Sequence, residues 1–200
     1  MSVLGELQPN KVFKYFEEIC SIPHGSRNLQ QISDYLVDFA KAHELKYRQD
    51  EDLNVIIWKD GSKGYEASEP VILQGHMDMV AVKEADCDKD MEKEGLDLEI
   101  NGDYISAKGT SLGGDDGIAV AYTLAVLDDE EMAHPPIEAI FTVNEEIGML
   151  GAATIDVSDL KGRLFMNMDS EDEGVFTVSC AGGASVICKI PYETETVNAS

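Results

Sequence analysis

The chain has 200 residues, of which 39 are acidic and 15 basic, for a formal net charge of −24. Such a surplus repels phosphates and anionic headgroups, which argues against a function in binding nucleic acid or a membrane surface by charge attraction. A hydrophobic fraction of 44%, with 17 Gly and 6 Pro, is that of a folded domain and not of a disordered acidic tail.

The first element is a helix over about 9–19, where Val12, Phe13, Phe16, Ile19 and Cys20 recur at helical spacing and Pro9 suits the first turn. A second amphipathic helix runs over about 28–43 with Ile32, Tyr35, Leu36, Phe39, Ala40 and His43 on one stripe; Asn28 and Gln31 are placed as a capping pair. The period then shortens to that of strands over 46–50, 54–59 and 71–77. Segments 96–100 and 104–108 flank Asn101-Gly102, a hairpin signal because both turn positions favour positive φ. Residues 117–127, apolar on nearly every face, read as a buried helix. Central strands are expected at 137–143 and 164–168, with a helix-compatible segment at 148–154 between them, and two further strands at 175–180 and 184–190. The polar stretch 83–94 reads as a charged loop. This alternation of helices and apolar strands predicts an α/β fold, a three-layer α/β/α sandwich with a mixed sheet.

Cys20, Cys87, Cys180 and Cys188 have no C-x-x-C or regular spacing, no basic-then-apolar leader opens the chain, and no apolar run approaches ~20 residues. A soluble cytoplasmic protein with reduced thiols is expected. The charge is also uneven: residues 1–49 hold six basic and six acidic side chains, and residues 50–200 nine basic against 33 acidic. Solvated surface explains most of such a surplus, but some of these carboxylates fall where they can converge on cations.

In an α/β sheet, ligands gather outside the carboxyl ends of the strands. His76 and Asp78 close one expected strand, Glu145 and Glu146 a second, Asp169 a third, and Asp115 with Asp116 precede the buried helix. Singly each has a plain structural explanation: a hydrogen-bonded His-x-Asp pair, a helix cap, a solvated loop. Together, ionisable groups at four separate termini form a plausible metal site.

Four motifs carry a resemblance: Gln74-Gly75-His76-Met77-Asp78, Gly113-Gly114-Asp115-Asp116-Gly117, Asn144-Glu145-Glu146-Ile147-Gly148 and Asn167-Met168-Asp169-Ser170-Glu171. In this order they resemble the co-catalytic zinc exopeptidases, the family of aminoacylase, peptidase T and carnosinase. Cys20-Ser21-Ile22-Pro23-His24 and Ser179-Cys180-Ala181-Gly182-Gly183 extend the likeness over nearly the whole chain.

The resemblance implies a dipeptidase acting on small peptides, with Xaa-His dipeptides of the carnosine kind as the expected substrates. It implies two divalent metal ions, most simply Zn with Co or Mn as alternatives, held about 3.5–4 Å apart. By the family pattern Asp115 bridges them, His76 and Asp169 complete one, and Glu146 belongs to the other. Asp78 would accept the remaining ring proton of His76, and Glu145 would be the general base for a water bridging the metals. The pattern also implies a cis peptide between Asp115 and Asp116, where many relatives carry Asn in the second position.

In that family the second metal takes a further His from far downstream, and neither His24, His43 nor His134 suits that place. The expectation is therefore an N-terminal portion: 1–183 as the first part of the catalytic domain, and 184–200 as the start of a lid domain through which the longer form would dimerise. The 200 residues alone are expected to be inactive. Alternatives are an aminoacylase or tripeptidase of the same family and a non-catalytic divalent-cation binder, the latter without support from an Asp-x-Asp-x-Asp-Gly loop. A cysteine hydrolase has little support, since no Cys has a visible His partner.

Overall fold

The computed structural model describes residues 2–170, 174–179, 182 and 186–194. These fall into two units, Met1–Asp169 and Ser170–Ser200. In the first unit, helix α1 (Asn10–Cys20) buries Val12, Tyr15, Phe16, Ile19 and Cys20, with Pro9 before its first turn. Helix α2 (Gln30–Ala42) buries Ile32, Leu36, Val37, Phe39 and Ala40. The expected Asn28–Gln31 cap does not form: α2 has no side-chain cap, and Asn28 Nδ2 instead donates to the Glu92 carbonyl at 2.9 Å. The distant loop carbonyl offers the amide a partner that the local geometry does not.

Strands β1 (Lys46–Gln49) and β2 (Val55–Lys59) form an antiparallel hairpin, and β2 continues antiparallel onto β6 (Ile137–Thr142). Strand β3 (Val71–His76) lies parallel to β6 on one side and to β7 (Leu164–Asn167) on the other, giving the order β1-β2-β6-β3-β7. β4 (Leu98–Asn101) and β5 (Tyr104–Ala107) pair apart from this sheet around the expected turn, with Gly102 at φ +64°. Helix α3 (Gly114–Leu127) starts three residues earlier than its apolar run, and α4 (Leu150–Thr154) fills the segment before β7.

The register assigns the two faces. Val55, Ile57, Leu73, Ala139 and Phe141 point to one side and join α1, α2 and α3 in a continuous buried core. Ile56, Ile72 and Ile140 point to the other and are also buried. Each Val, Leu, Ile or Phe among them contributes about 1.5–3 kcal/mol by leaving water. The expected layering therefore holds, with three helices on one face. On the other face Glu138 accepts the N–H groups of Lys161 and Gly162, which draws the segment before β7 across the sheet.

Two expectations are corrected. β7 is not central: among the described residues it pairs only with β3, and Leu164, Phe165 and Met166 are all exposed. Apolar composition marks a strand that is normally covered on both sides, but it does not say which strand lies at an edge. The strands expected at 175–180 and 184–190 are absent from residues 175–179 and 186–190, since a strand exists by pairing and no ladder partner occurs among the described residues. Cys180, Ala184 and the remainder of those two runs lie outside the described residues.

Candidate metal centre

Because β3, β6 and β7 run parallel, their carboxyl ends lie at one edge of the sheet, and the side chains singled out there are delivered to a common place. His76 is the last residue of β3, Glu145 and Glu146 follow β6, and Asp169 follows β7. α3 packs on β3 and brings Asp115 and Asp116 to the same end. Its approach requires Gly75, since a Cβ there would meet Asp116 Oδ2 at 2.8 Å and Ala119 Cβ at 2.9 Å. The peptide between Asp115 and Asp116 is cis, as the resemblance implied, and both residues have non-helical backbone angles within the first turn.

His76, 1% exposed, is the hub. Its Nε2 lies 3.0 Å from Asp115 Oδ1 and 3.9 Å from Glu145 Oε2. Its Nδ1 is 2.9 Å from the Asp78 carbonyl and 3.5 Å from Asp78 Oδ1, and its backbone N–H donates to Asp116 Oδ2 at 3.1 Å. The buried Asp78 carboxylate accepts from the Ser26 hydroxyl at 2.8 Å and the Glu145 N–H at 2.9 Å. It thus ties the turn after α1, the His76 strand end and the Glu145 loop together. Potential ligand atoms fall into two groups with all members within 4.8 Å of one another, namely His76, Asp116, Asp169 and His76, Asp115, Glu146. These residues could hold a metal ion, and their donor set of one imidazole and several carboxylates suits Zn, Co or Mn.

The electrostatics are those of crowded like charges. Burial and the charges of Asp169 and Asp115 push Asp116 up to about 7, against the pull of His76. Burial and nearby carboxylates likewise raise Glu145, Glu146 and Asp169. Burial works against the imidazolium of His76, but Asp78, Asp116 and Asp115 together outweigh it and lift His76 to about 10. Asp78 moves the other way: its burial is overcome by hydrogen bonds from His76, the Glu145 N–H and Ser26, which hold it below the usual carboxylate range. A cation placed among Asp115, Asp116, Glu145, Glu146 and Asp169 would relieve the repulsion that raises four of them.

All six residues expected from the sequence, His76, Asp78, Asp115, Glu145, Glu146 and Asp169, meet here. Asp116, placed beside the cluster from the sequence but not among its ligands, enters one of the ligand groups. One residue was not foreseen. Ser26 supports Asp78 from fifty-two residues away, and no periodicity or motif spacing announces such a partner. Of the remaining histidines, His43 caps α2 and lies against Phe39, His134 is buried beside Ser62, and His24 is buried near Asp78 with Nδ1 2.6 Å from the Ile22 carbonyl. Cys20, Cys87 and Cys188 are free thiols, and burial pushes Cys20 up to about 12, which makes it a poor nucleophile.

No family model matches the chain. Over 199 residues it is 39% identical to the cytosol non-specific dipeptidase of Escherichia coli (strain K12), an alignment covering 100% of this chain and 41% of that protein. Among solved structures, the aminoacylhistidine dipeptidase of Vibrio alginolyticus superposes with a TM-score of 0.83 at 40% identity, over 86% of this chain and 35% of that one. A tripeptidase from Staphylococcus aureus shares the fold at a TM-score of 0.68 and 23% identity, over 84% of this chain and 45% of that one. The chain is thus similar along its length to dipeptidases of which it spans about two fifths, and its mixed sheet with flanking helices is the fold these peptidases carry.

Proposed function

We propose that this chain is the metal-binding, N-terminal part of a dipeptide hydrolase of the zinc exopeptidase family. The observation that carries this reading is the convergence of five carboxylates from three chain segments on the single imidazole of His76, in a chain similar throughout to two dipeptidases. In this reading His76, Asp115, Glu146 and Asp169, with Asp116 beside them, would hold two divalent ions. When bound, the ions supply Lewis acidity to the scissile carbonyl and to water.

The chain's own residues do the rest. Glu145, beside Glu146 yet in neither ligand group, removes a proton from the attacking water and returns it to the leaving amine. Burial and the neighbouring carboxylates raise its affinity for protons in the metal-free site. Asp78 orients His76 through its backbone carbonyl, 2.9 Å from Nδ1, and fixes the Glu145 backbone through its carboxylate. Substrates are unblocked dipeptides. One relative is named a non-specific dipeptidase and the other an aminoacylhistidine dipeptidase, and we favour a range that includes Xaa-His. We further infer that 1–183 belongs to the catalytic domain, that 184–200 opens a lid through which a longer form dimerises, and that the protein works in the cytoplasm. The 200 residues by themselves would show no peptidase activity.

Zinc titration of the chain tests the metal centre. Glu146→Gln and Asp169→Asn should each weaken binding by about 10- to 100-fold, and unaltered binding in both would overturn the assignment. In a form extended to the length of the relatives, Glu145→Gln should lower kcat on dipeptides by about 10²–10⁴-fold with metal content retained. Full turnover by that variant would remove Glu145 as the base.

A further inference from the structure

Glu145 and Glu146 sit at the tip of a loop that closes on itself. The Val143 carbonyl accepts the Gly151 N–H at 2.9 Å, the Asn144 carbonyl the Leu150 N–H at 3.1 Å, and the Glu145 carbonyl the N–H groups of Gly148 and Met149, each at 2.8 Å. At the tip the loop is held by Asp78, which accepts the Glu145 N–H. At the stem it is held by Asn54, a residue from the turn before β2 that is 1% exposed. Asn54 Oδ1 accepts the Val143 N–H at 3.1 Å, and its Nδ2 donates to the Gly151 carbonyl at 3.3 Å and to Asp50 Oδ2 at 2.8 Å. One amide therefore bridges both strands of the stem and is itself oriented by Asp50. The fit leaves no space on the opposite side: a Cβ on Gly151 would overlap Asn54 Oδ1 and approach the Val143 carbonyl to 2.6 Å.

We propose that Asn54 is a positioning residue for the metal centre: by locking the stem of the 143–151 loop it sets where Glu145 and Glu146 stand, although none of its hydrogen bonds reaches either of them. The proposal rests on the metal-hydrolase reading above. Without Asn54 the loop would keep its own backbone bonds, the Asp78 bond at Glu145 and the Arg27 N–H at Asn144 Oδ1. The Val143 N–H and the Gly151 carbonyl would, however, lose the side chain that ties the stem to the turn before β2, and two carboxylates that must meet cations within a few tenths of an ångström tolerate little such freedom. Asn suits the place because it offers an acceptor and a donor on one rigid plane, so that it serves an N–H and a C=O at once.

The test is a double-mutant cycle read by zinc titration. Asn54→Ala should weaken zinc binding by roughly 10-fold or more, and in a Glu146→Gln background the same change should cost little further, because the ligand through which Asn54 acts is already gone. Gly151→Ala, which disturbs the clamp from its other side, should show the same non-additivity. A loss from Asn54→Ala that simply adds to that of Glu146→Gln, or no loss at all, would overturn the proposal in favour of a purely structural amide. Amide hydrogen exchange on the metal-free chain gives a second reading. The Glu145 amide should exchange at least about tenfold faster in Asn54→Ala, with the Phe141 amide in β6 unchanged; equal change at both sites, or none at Glu145, also overturns it. If the unaltered chain binds no zinc, the hydrolase reading fails, whereas the exchange result still decides whether Asn54 holds the loop.

Discussion

Two carboxylate environments in one sheet differ in a way that separates architecture from chemistry. Glu138, in the middle of β6 and 3% exposed, has its charge answered by backbone: Lys161 N–H lies at 2.9 and 3.0 Å from its two oxygens and Gly162 N–H at 2.8 Å from one of them. Glu17 is treated similarly, by Ser2 and the N–H groups of Val3 and Leu4, and these donors together overcome burial and lower its affinity for protons. At the carboxyl end of the same sheet, Asp116, Glu145, Glu146 and Asp169 are raised because they face burial and one another with too few donors. A carboxylate that serves the fold is satisfied by the fold. The end-of-sheet group is not, and a cation placed among these carboxylates would offset the repulsion between them.

The largest effect that can sharpen this contrast is expected at Glu138. Glu138→Ala takes the acceptor from the Lys161 and Gly162 N–H groups and empties a buried position in β6, and should lower stability by about 2–4 kcal/mol, measured by denaturant unfolding. Zinc binding should respond only through β7, which leads from Lys161 and Gly162 to Asp169. A variant as stable as the parent would mean that Glu138 is not satisfied by the fold in the sense argued here, and the contrast would break.

Asp116 gives an effect of opposite sign. Its folded-state affinity, raised to about 7, means that the metal-free fold binds the proton more tightly than the unfolded chain does. Its contribution is present below the ordinary carboxylate range and is lost as pH rises towards 7. With chelator present, Asp116→Asn should therefore be more stable than the parent at pH 7.5 by about 1–3 kcal/mol, and the difference should vanish near pH 4. The amide keeps an oxygen for the His76 N–H, so this comparison isolates the charge. A variant less stable at pH 7.5 would show that Asp116 is already satisfied.

Much of this contrast was readable in the sequence, and the unread part has a physical reason. Apolar period placed α1, α2, β3, β6 and α3 within a few residues, because each buries a face that must be written into the chain. The strand ends then located His76, Asp115, Glu145, Glu146 and Asp169. What stayed hidden were partnerships between distant segments: Glu138 with Lys161 and Gly162, Ser26 with Asp78, Asn54 with Val143 and Gly151. A buried Glu in an apolar strand or an Asn near a turn has no period, and its partner is named only once the chain is folded. The edge position of β7 among the described residues was hidden for a related reason, since apolar strands read alike whether or not a neighbour lies beyond them.

The smallest expected effect concerns the rest of the charge. Glu51 and Asp103 are exposed and make no side-chain hydrogen bond or ion pair among the described residues, so Glu51→Gln and Asp103→Asn should each change stability by no more than about 0.5 kcal/mol. If the net −24 itself drew zinc to the chain, removing either charge would weaken binding as much as altering the cluster does. At 0.15 M ionic strength, however, the field of an exposed charge decays over about 8 Å. Zinc titration of these two variants should match the parent within about twofold at that salt, with any larger difference confined to dilute buffer. A loss at physiological salt comparable to that of Asp169→Asn would place the attraction in the whole surface and not in the few carboxylates that the sheet gathers around His76.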